Sequence, residues 1–126
     1  YRSSAEFKVV SYAYHAADPT WFTTAPVEAM KKSLKKGSLK VEQIDLFEIN
    51  EAFAIVPLVA IKELGLNPDK VNVYGGGVSL GHPIGCSGTR ILVTLMNAMK
   101  RKDSKLGLAS ICIGGGEALS MIIEKQ

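Results

Sequence analysis

The spacing of hydrophobic positions changes along the chain, and each change marks a predicted element. Residues 6–15 are rich in β-branched and aromatic side chains, which predicts a first strand. Further on, Val27, Met30 and Leu34 recur at three- and four-residue steps, with lysines on the opposite side. This spacing predicts an amphipathic helix, which Gly37 ends.

A second strand and a long apolar helix follow. The short apolar run at residues 44–49 predicts a buried strand. Asn50 comes directly after it and is a favoured helix N-cap, and residues 51–64 are apolar on nearly every side. This pattern predicts a helix buried at the centre of the domain. Pro57 lies inside that helix, where we expect it to cause a kink or remove a hydrogen bond.

The last part of the chain predicts three more strands. Residues 71–74 form the third strand and lead into a glycine-rich loop that ends at Gly88. A helix follows, with basic residues in its last turn, as the helix dipole favours. Residues 106–113 predict a fourth strand, the glycines from Gly114 a tight turn, and residues 118–124 a fifth strand.

Helices that alternate with buried strands predict a layered α/β domain whose sheet is largely parallel. The predicted order is β-α-β-α-β-α-β-β, so that a five-stranded sheet is covered by helices. The closing hairpin adds an antiparallel strand, which makes the sheet mixed. A chain of 126 residues fits a single domain, residues 1–126.

Composition narrows the class of protein. Hydrophobic residues make up 47% and charged residues 21%, as in packed soluble domains. Every apolar stretch falls short of the roughly 20 residues of a membrane-spanning helix, so we expect no membrane partner. No secretory signal opens the chain. It begins at Tyr1 rather than at a start methionine, which predicts a fragment of a longer protein. Two cysteines without a Cys-x-x-Cys pair favour a reducing, cytoplasmic compartment, with an organelle left open.

Basic residues occur in small clusters, and the net charge is +3. The clusters at residues 31–32, 35–36 and 100–102 fall on predicted helices, where a solvated face is expected. Nucleic-acid-binding proteins combine such patches with stacking aromatics or a known motif, and the sequence has neither. We therefore expect no nucleic-acid partner, and at most a weak preference for anionic small molecules such as a nucleotide-bearing thioester.

Reactive side chains lie just past the carboxyl ends of three predicted strands, where open α/β sheets place their sites. Asn50 follows the second strand, His82 lies in the loop after the third, and Cys112 ends the fourth. A phosphate-binding loop explains the glycines poorly, because the sequence has no Gly-Lys-Ser/Thr. A dinucleotide fingerprint also fails, since Leu80 stands where it needs glycine.

Each of these residues has an ordinary structural explanation: an N-cap, an exposed loop histidine and a small core residue. Three such groups at three strand ends of one domain are harder to explain in that way. A cysteine near a histidine can ionise, and neighbouring glycines can offer backbone N–H groups to an oxyanion. The set suits acyl transfer through thioesters, without choosing among such reactions.

Three segments resemble the C-terminal signatures of the thiolase family. They are residues 50–54 (Asn-Glu-Ala-Phe-Ala), residues 72–90, which include Gly-His-Pro-Ile-Gly, and residues 112–116 (Cys-Ile-Gly-Gly-Gly). The similarity extends over essentially the whole chain. It implies the α/β fold of one thiolase half and an acyltransferase activity. That activity is Claisen condensation of two acetyl-CoA to acetoacetyl-CoA and CoA, or the reverse thiolysis of a 3-ketoacyl-CoA.

The resemblance also implies catalytic roles. The position of His82 activates a nucleophilic cysteine and, with a water held at the position of Asn50, stabilises the thioester or enolate oxygen. The position of Cys112 is the general base or acid, and the backbone N–H of Gly114 contributes to a second oxyanion hole. These roles fit the chemistry, because a thioester α-proton is weakly acidic and its removal needs both a base and hydrogen bonds to the enolate.

Much of such an enzyme would lie outside this chain. The resemblance places the nucleophilic cysteine, the loop domain and most coenzyme A contacts in an N-terminal half, so we expect the isolated domain to be inactive. Cys86 stands where many members have alanine, and it receives no catalytic role. The resemblance further implies an acyl-CoA substrate, no covalently bound cofactor, no metal, the N-terminal half as a partner, and a homodimer or homotetramer.

Two alternatives keep the same fold. A thiolase-like module that has lost catalysis would serve lipid binding or assembly, although an intact His82 and Cys112 argue against it. A ketoacyl carrier-protein synthase would usually pair its nucleophile with two histidines, or with a histidine and an asparagine. Cys112 as the second group therefore favours a thiolase.

Overall fold

The computed structural model describes residues 5–126, which form a sheet with helices on both faces. The strands are β1 Phe7–Ala16, β2 Leu46–Ile49, β3 Leu106–Ile113 and β4 Glu117–Lys125. The helices are α1 Ala25–Lys36, α2 Ile55–Leu64, α3 Gly77–Leu80 and α4 Ser87–Arg101. The predicted layered α/β class is confirmed.

The sheet formed by residues 5–126 has four strands in the order β1-β4-β3-β2. Strand β2 pairs with β3 in parallel, whereas β4 is antiparallel to both β3 and β1. The predicted mixed sheet and its closing hairpin are confirmed. The expectation of a largely parallel sheet is wrong, because β1 joins the hairpin strand β4 instead of a parallel neighbour.

The predicted fifth strand at residues 71–74 is wrong, because this segment contributes only isolated bridges, such as Val71 to Phe47. Asn72 has a φ of 48°, which an extended strand does not allow. Its side chain takes over the pairing instead. Asn72 Oδ1 accepts from the Ile49 N–H at 2.8 Å, and Nδ2 donates to the Ile49 carbonyl at 2.9 Å. An asparagine side chain thus pairs with the edge of β2 where a strand was predicted.

Two large hydrophobic clusters and a small one, formed by Ala25, Ala29 and Ala118, fill the space between the sheet and its helices. On one face, α1 and α2 pack on the sheet around Met30, Ile49 and Leu108, all of them fully buried. On the other face, α4 contributes Leu95 and Met99, which are also fully buried. Removal of these apolar side chains from water is the main stabilising contribution to such a fold. The carboxyl ends of β2 and β3 meet at one edge of this layered body.

Helix α2 begins later than predicted, at Ile55, with Ala54 as the N-cap residue, so the prediction of Asn50 as the N-cap is wrong. Pro57 consequently lies in the first turn, where its missing N–H costs no helical hydrogen bond, and the predicted kink has no cause. The predicted central burial is also wrong, since Ile55 and Leu58 are 48% and 58% exposed. The helix packs on one side only.

The glycine-rich segment forms helix α3 and then the loop that carries His82. At Gly77 an added Cβ would lie 2.6 Å from the carbonyl oxygen of Glu51, so this close approach requires glycine. The Glu51 carboxylate holds the same segment, because its Oε1 accepts from Asn72 Nδ2 at 3.0 Å and its Oε2 from the Val78 N–H at 2.9 Å. The segment is therefore anchored to the chain just after β2.

The basic clusters lie on exposed helix surfaces, as predicted. Lys31 pairs with Glu28 at 2.8 Å, and Lys100 pairs with Glu6 at 2.6 Å. Exposed pairs of this kind contribute little to stability. Within residues 5–126, every helix is too short or too polar to cross a bilayer.

Candidate active site

An open cavity of about 480 Å³ lies at the carboxyl end of β3. Its lining residues are Phe22, Ala52, Phe53, His82, Ile84, Ile111, Cys112, Ile113 and Gly114. The walls are mainly apolar, and an imidazole and a thiol are their titratable groups. Three of the predicted site residues, His82, Cys112 and Gly114, therefore share one cavity, whereas Asn50 is not part of its lining.

His82 reaches the cavity from the loop between α3 and α4. Its Nδ1 lies 2.6 Å from Oγ of Ser87, the first residue of α4. Ser87 is fully buried, so this contact fastens one side of the imidazole to the helix. The other ring nitrogen, Nε2, is left to meet a substrate or a second side chain.

Cys112 lies on the face of β3 that packs against α1 and α2, and it is 7% exposed. Burial raises the pKa of its thiol, with a smaller opposing effect from its own backbone amide. The thiol therefore keeps its proton at neutral pH. A protonated thiol at a cavity wall is a proton donor, and the thiolate left after donation is a strong base.

The glycine turn between β3 and β4 places a backbone segment beside Cys112. The Gly116 N–H donates to the Ile113 carbonyl at 3.1 Å, as expected for a tight turn. Gly116 has a φ of 94°, and an added Cβ would overlap the carbonyl oxygen of Ala17, so the turn requires glycine here. Gly114 is exposed at the cavity wall, where its backbone is accessible.

Asn50 lies outside the cavity lining and is fully buried at the end of β2. Its backbone N–H donates to the Ser110 carbonyl at 2.9 Å and so prolongs the pairing of β2 with β3. This pairing is the reason that Asn50 does not begin the helix. Within the described part of the chain, its Oδ1 and Nδ2 have no hydrogen-bond partner. Buried amides are normally satisfied, by water where side chains are lacking.

Sequence reasoning missed a buried charged pair between β2 and α4. Glu48 is 1% exposed, and Arg90 Nη1 lies 3.7 Å from its Oε2. Burial raises the pKa of Glu48 to about 7, opposed by the charge of Arg90 and reinforced by that of Glu51. Neither carboxylate oxygen finds a hydrogen bond among residues 5–126. The signal available in the sequence is the presence of two charged residues, Asp45 and Glu48, inside the apolar run 44–49.

We expect Glu48→Gln to remove a pH dependence of stability. Below the unfolded pKa of 4.5 both states are protonated; between pH 4.5 and about 7 the unfolded state loses the proton while the native state keeps it, and above about 7 both states are ionised. Stability from this group is therefore lost with rising pH, by about 3 kcal/mol between about pH 4 and pH 8. Denaturant unfolding of the full-length protein at several pH values, with Glu42→Gln as an exposed control, measures this change. Parallel pH curves for the wild type and Glu48→Gln would contradict the expectation.

Phe22 is a second residue that sequence reasoning missed. Its ring meets that of Phe53 edge to face, with centroids 5.9 Å apart and an interplanar angle of 69°. The two rings form an aromatic part of the cavity wall, and the cavity lining contains no Asp, Glu, Lys or Arg. Phe22 stands in the loop before α1, where no periodicity marks it.

The mixed sheet between two helical layers, with a histidine, a thiol and a glycine turn at one cavity, defines the class: an α/β domain that carries groups suited to acyl transfer. Comparison with known families then identifies the chain. It belongs to the thiolase family, since the family described as "Thiolase, C-terminal domain" matches residues 3–125. In residues 5–126, His, Cys, Asp and Glu side chains form no cluster of three that could hold a metal ion.

Individual relatives are similar over nearly the whole chain. Acetyl-CoA acetyltransferase 1 of Arabidopsis thaliana is 50% identical over 117 residues, which are 93% of this chain and 28% of the relative. The 3-ketoacyl-CoA thiolase of Aliivibrio salmonicida is 47% identical over 121 residues, which are 94% of this chain and 31% of the relative. The chain thus spans less than a third of the length of these relatives.

A solved structure agrees with the fold. The crystal structure of Acat5 thiolase from Ascaris suum in complex with coenzyme A superposes with a TM-score of 0.94 at 51% identity. The match covers 99% of this chain and 32% of that one. The predicted thiolase-like fold is confirmed, with four strands instead of five.

Proposed function

We propose that this chain is the C-terminal part of an acetyl-CoA C-acyltransferase. The enzyme condenses two acetyl-CoA to acetoacetyl-CoA and CoA, or cleaves a 3-ketoacyl-CoA with CoA in the reverse direction. One observation carries the proposal: His82, Cys112 and Gly114 line one cavity in a chain of the thiolase family. Acyl transfer between thioesters needs a base, a proton donor and hydrogen bonds to an oxyanion, and these residues supply such groups.

Cys112 acts as the acid and then as the base. Its thiol gives a proton to the departing CoA sulfur when an acyl group moves to the nucleophilic cysteine, which lies on the N-terminal part. The resulting thiolate removes an α-proton from a second acetyl-CoA, and the enolate attacks the acyl group. The burial that raises the pKa of Cys112 supports this role. A thiol that keeps its proton is better suited to donating that proton than to serving as the nucleophile.

His82 activates the nucleophile. Its Nε2 takes the proton of the nucleophilic thiol, and the protonated ring then donates a hydrogen bond to the thioester or enolate oxygen. Asn50 assists by holding a water, a role that its buried and unpaired amide supports. The backbone N–H of Gly114 stabilises a second oxyanion beside Cys112.

The N-terminal part of the enzyme covers the exposed side of the sheet next to α4. Tyr12 and Leu119 are 57% and 46% exposed there, and they border a mainly apolar cavity of about 300 Å³. A surface of this kind favours association. We infer that the domain alone self-associates and is inactive, and that the full-length protein is a cytoplasmic homodimer or homotetramer. The free state of Cys86 and Cys112 is consistent with a reducing compartment.

Steady-state thiolysis by the full-length protein tests the proposal. Acetoacetyl-CoA and a long-chain 3-ketoacyl-CoA are each mixed with CoA, and loss of the 3-ketoacyl absorbance is followed. We expect CoA-dependent cleavage of acetoacetyl-CoA, and the ratio of the two rates reports the acyl-length preference. Binding of both substrates without cleavage of either would overturn the proposal in favour of a non-catalytic lipid-binding or assembly module.

A further inference from the structure

The contact between Ser87 and His82 extends the site beyond the residues already named. Ser87 Oγ lies 2.6 Å from His82 Nδ1 and 3.1 Å from the carbonyl oxygen of Pro83. The side chain is fully buried, and it lies outside the cavity lining. The hydroxyl thus approaches the imidazole from behind, inside the protein.

We propose that Ser87 is a positioning residue for His82: its buried hydroxyl holds Nδ1, leaves Nε2 as the reactive nitrogen, and accepts the Nδ1–H hydrogen bond when the ring is protonated. This inference rests on the proposed function, because it concerns how His82 serves that reaction. Ser87 does not touch substrate or exchange a proton with it.

The hydrogen-bond directions permit this role. A serine hydroxyl has one hydrogen to donate and lone pairs that accept, so it can serve either form of the ring. For Nε2 to act as a base, the neutral ring must carry its hydrogen on Nδ1, and this Nδ1–H donates to Ser87 Oγ, whose own hydrogen is donated to the Pro83 carbonyl. The same two hydrogen bonds persist when Nε2 takes the proton of the nucleophilic thiol, so Ser87 holds the reactive tautomer and then stabilises the charged ring. No covalent bond to Ser87 forms or breaks in either state.

The surroundings leave Ser87 as the partner that can stabilise a protonated ring. Of the residues that line the cavity, Cys112 from β3 is the other titratable group, and the lining from the remaining elements is apolar or glycine. Among residues 5–126 no carboxylate forms a hydrogen bond or ion pair with His82. A neutral hydroxyl therefore takes the place that a carboxylate holds in many histidine-dependent enzymes.

Ser87→Ala in the full-length protein tests the proposal. We expect the first-order release of CoA on mixing with acetyl-CoA to slow about 10- to 100-fold, with KM nearly unchanged, because a hydrogen bond to a charged ring is lost. The pH dependence of alkylation of the nucleophilic cysteine by iodoacetamide should move to higher pH by about one unit. Ser87→Thr, which retains the hydroxyl, should restore both readouts in large part.

Ser33→Ala is the matched control. Ser33 is equally buried, and its hydroxyl donates to the Met30 carbonyl at 2.9 Å within α1, remote from the imidazole contact. We expect it to lower stability without moving the pH profile. A Ser87→Ala variant with the wild-type rate of CoA release and the wild-type pH profile would overturn the inference. Failure of the proposed function is distinguishable, since the unmodified protein would then release no CoA.

Discussion

Cys112→Ala in the full-length protein should reduce both condensation and thiolysis by about 100- to 10,000-fold, the range expected for loss of a general acid–base group. The substitution should lower kcat, because the thiol transfers protons in the transition state and contributes little to binding of the thioester. The buried side chain of Cys112 is small, and alanine fits its place in the core, so folding should be preserved. Steady-state assays in both directions measure the change.

The chain offers its own control for this experiment. Cys86 is also a free cysteine, but it is exposed and lies outside the cavity lining. Cys86→Ala should retain nearly full activity. If Cys112→Ala were as active as Cys86→Ala, the assignment of the acid and base would be wrong.

His82→Asn should slow the earlier step, in which the acyl group is transferred to the nucleophilic cysteine. Without an imidazole at the cavity, the nucleophilic cysteine has no base to take its proton, and acyl transfer should slow by about 100- to 10,000-fold. We expect stopped-flow mixing with acetyl-CoA to show no burst of CoA from this variant. Asparagine has a similar polar shape near Nδ1, so the contact with Ser87 can persist and the loop should keep its place.

His15 provides the comparison for His82→Asn. It is the other histidine of the chain, on β1, where its Nδ1 lies 3.0 Å from Lys32 Nζ at the surface. His15→Asn should leave the burst unchanged. An equal loss in both variants would point to a general effect on folding instead of a role for the imidazole.

Much of the fold follows from local patterns in the sequence. The amphipathic spacing of Val27, Met30 and Leu34 predicts α1, and the glycines after Ile113 predict the hairpin turn. Such signals succeed because each element buries a face that its own residues define. The same local patterns were sufficient to predict a layered α/β domain with a mixed sheet covered by helices.

The incorrect predictions arose where pairing with a distant segment overrode a local pattern. Residues 71–74 have strand-like composition, yet Asn72 adopts a positive φ and pairs with β2 through its amide. Asn50 fits an N-cap by type, yet its backbone continues the strand pairing with Ser110. Pairing partners distant in sequence decide such cases, and a single sequence does not reveal them.

The candidate site was only partly predictable. His82 and Cys112 could be named from strand ends, and Gly114 was named from the resemblance to thiolases; the structure places all three around one cavity. The contact of Ser87 with the imidazole depends on the conformation of the loop between α3 and α4, and the burial of Glu48 depends on how α4 packs against β2. Such contacts are set by tertiary packing, and the spacing of hydrophobic residues does not reveal them.

Deuterium exchange into the methyl group of acetyl-CoA tests the central claim most directly, because it reports the removal of the α-proton that is assigned to Cys112. The full-length wild-type protein in deuterium oxide should exchange these protons. The Cys112→Ala variant should lose exchange by at least about 100-fold, and its release of CoA should slow as well, because the same thiol protonates the departing sulfur. Exchange at the wild-type rate in that variant would contradict the account.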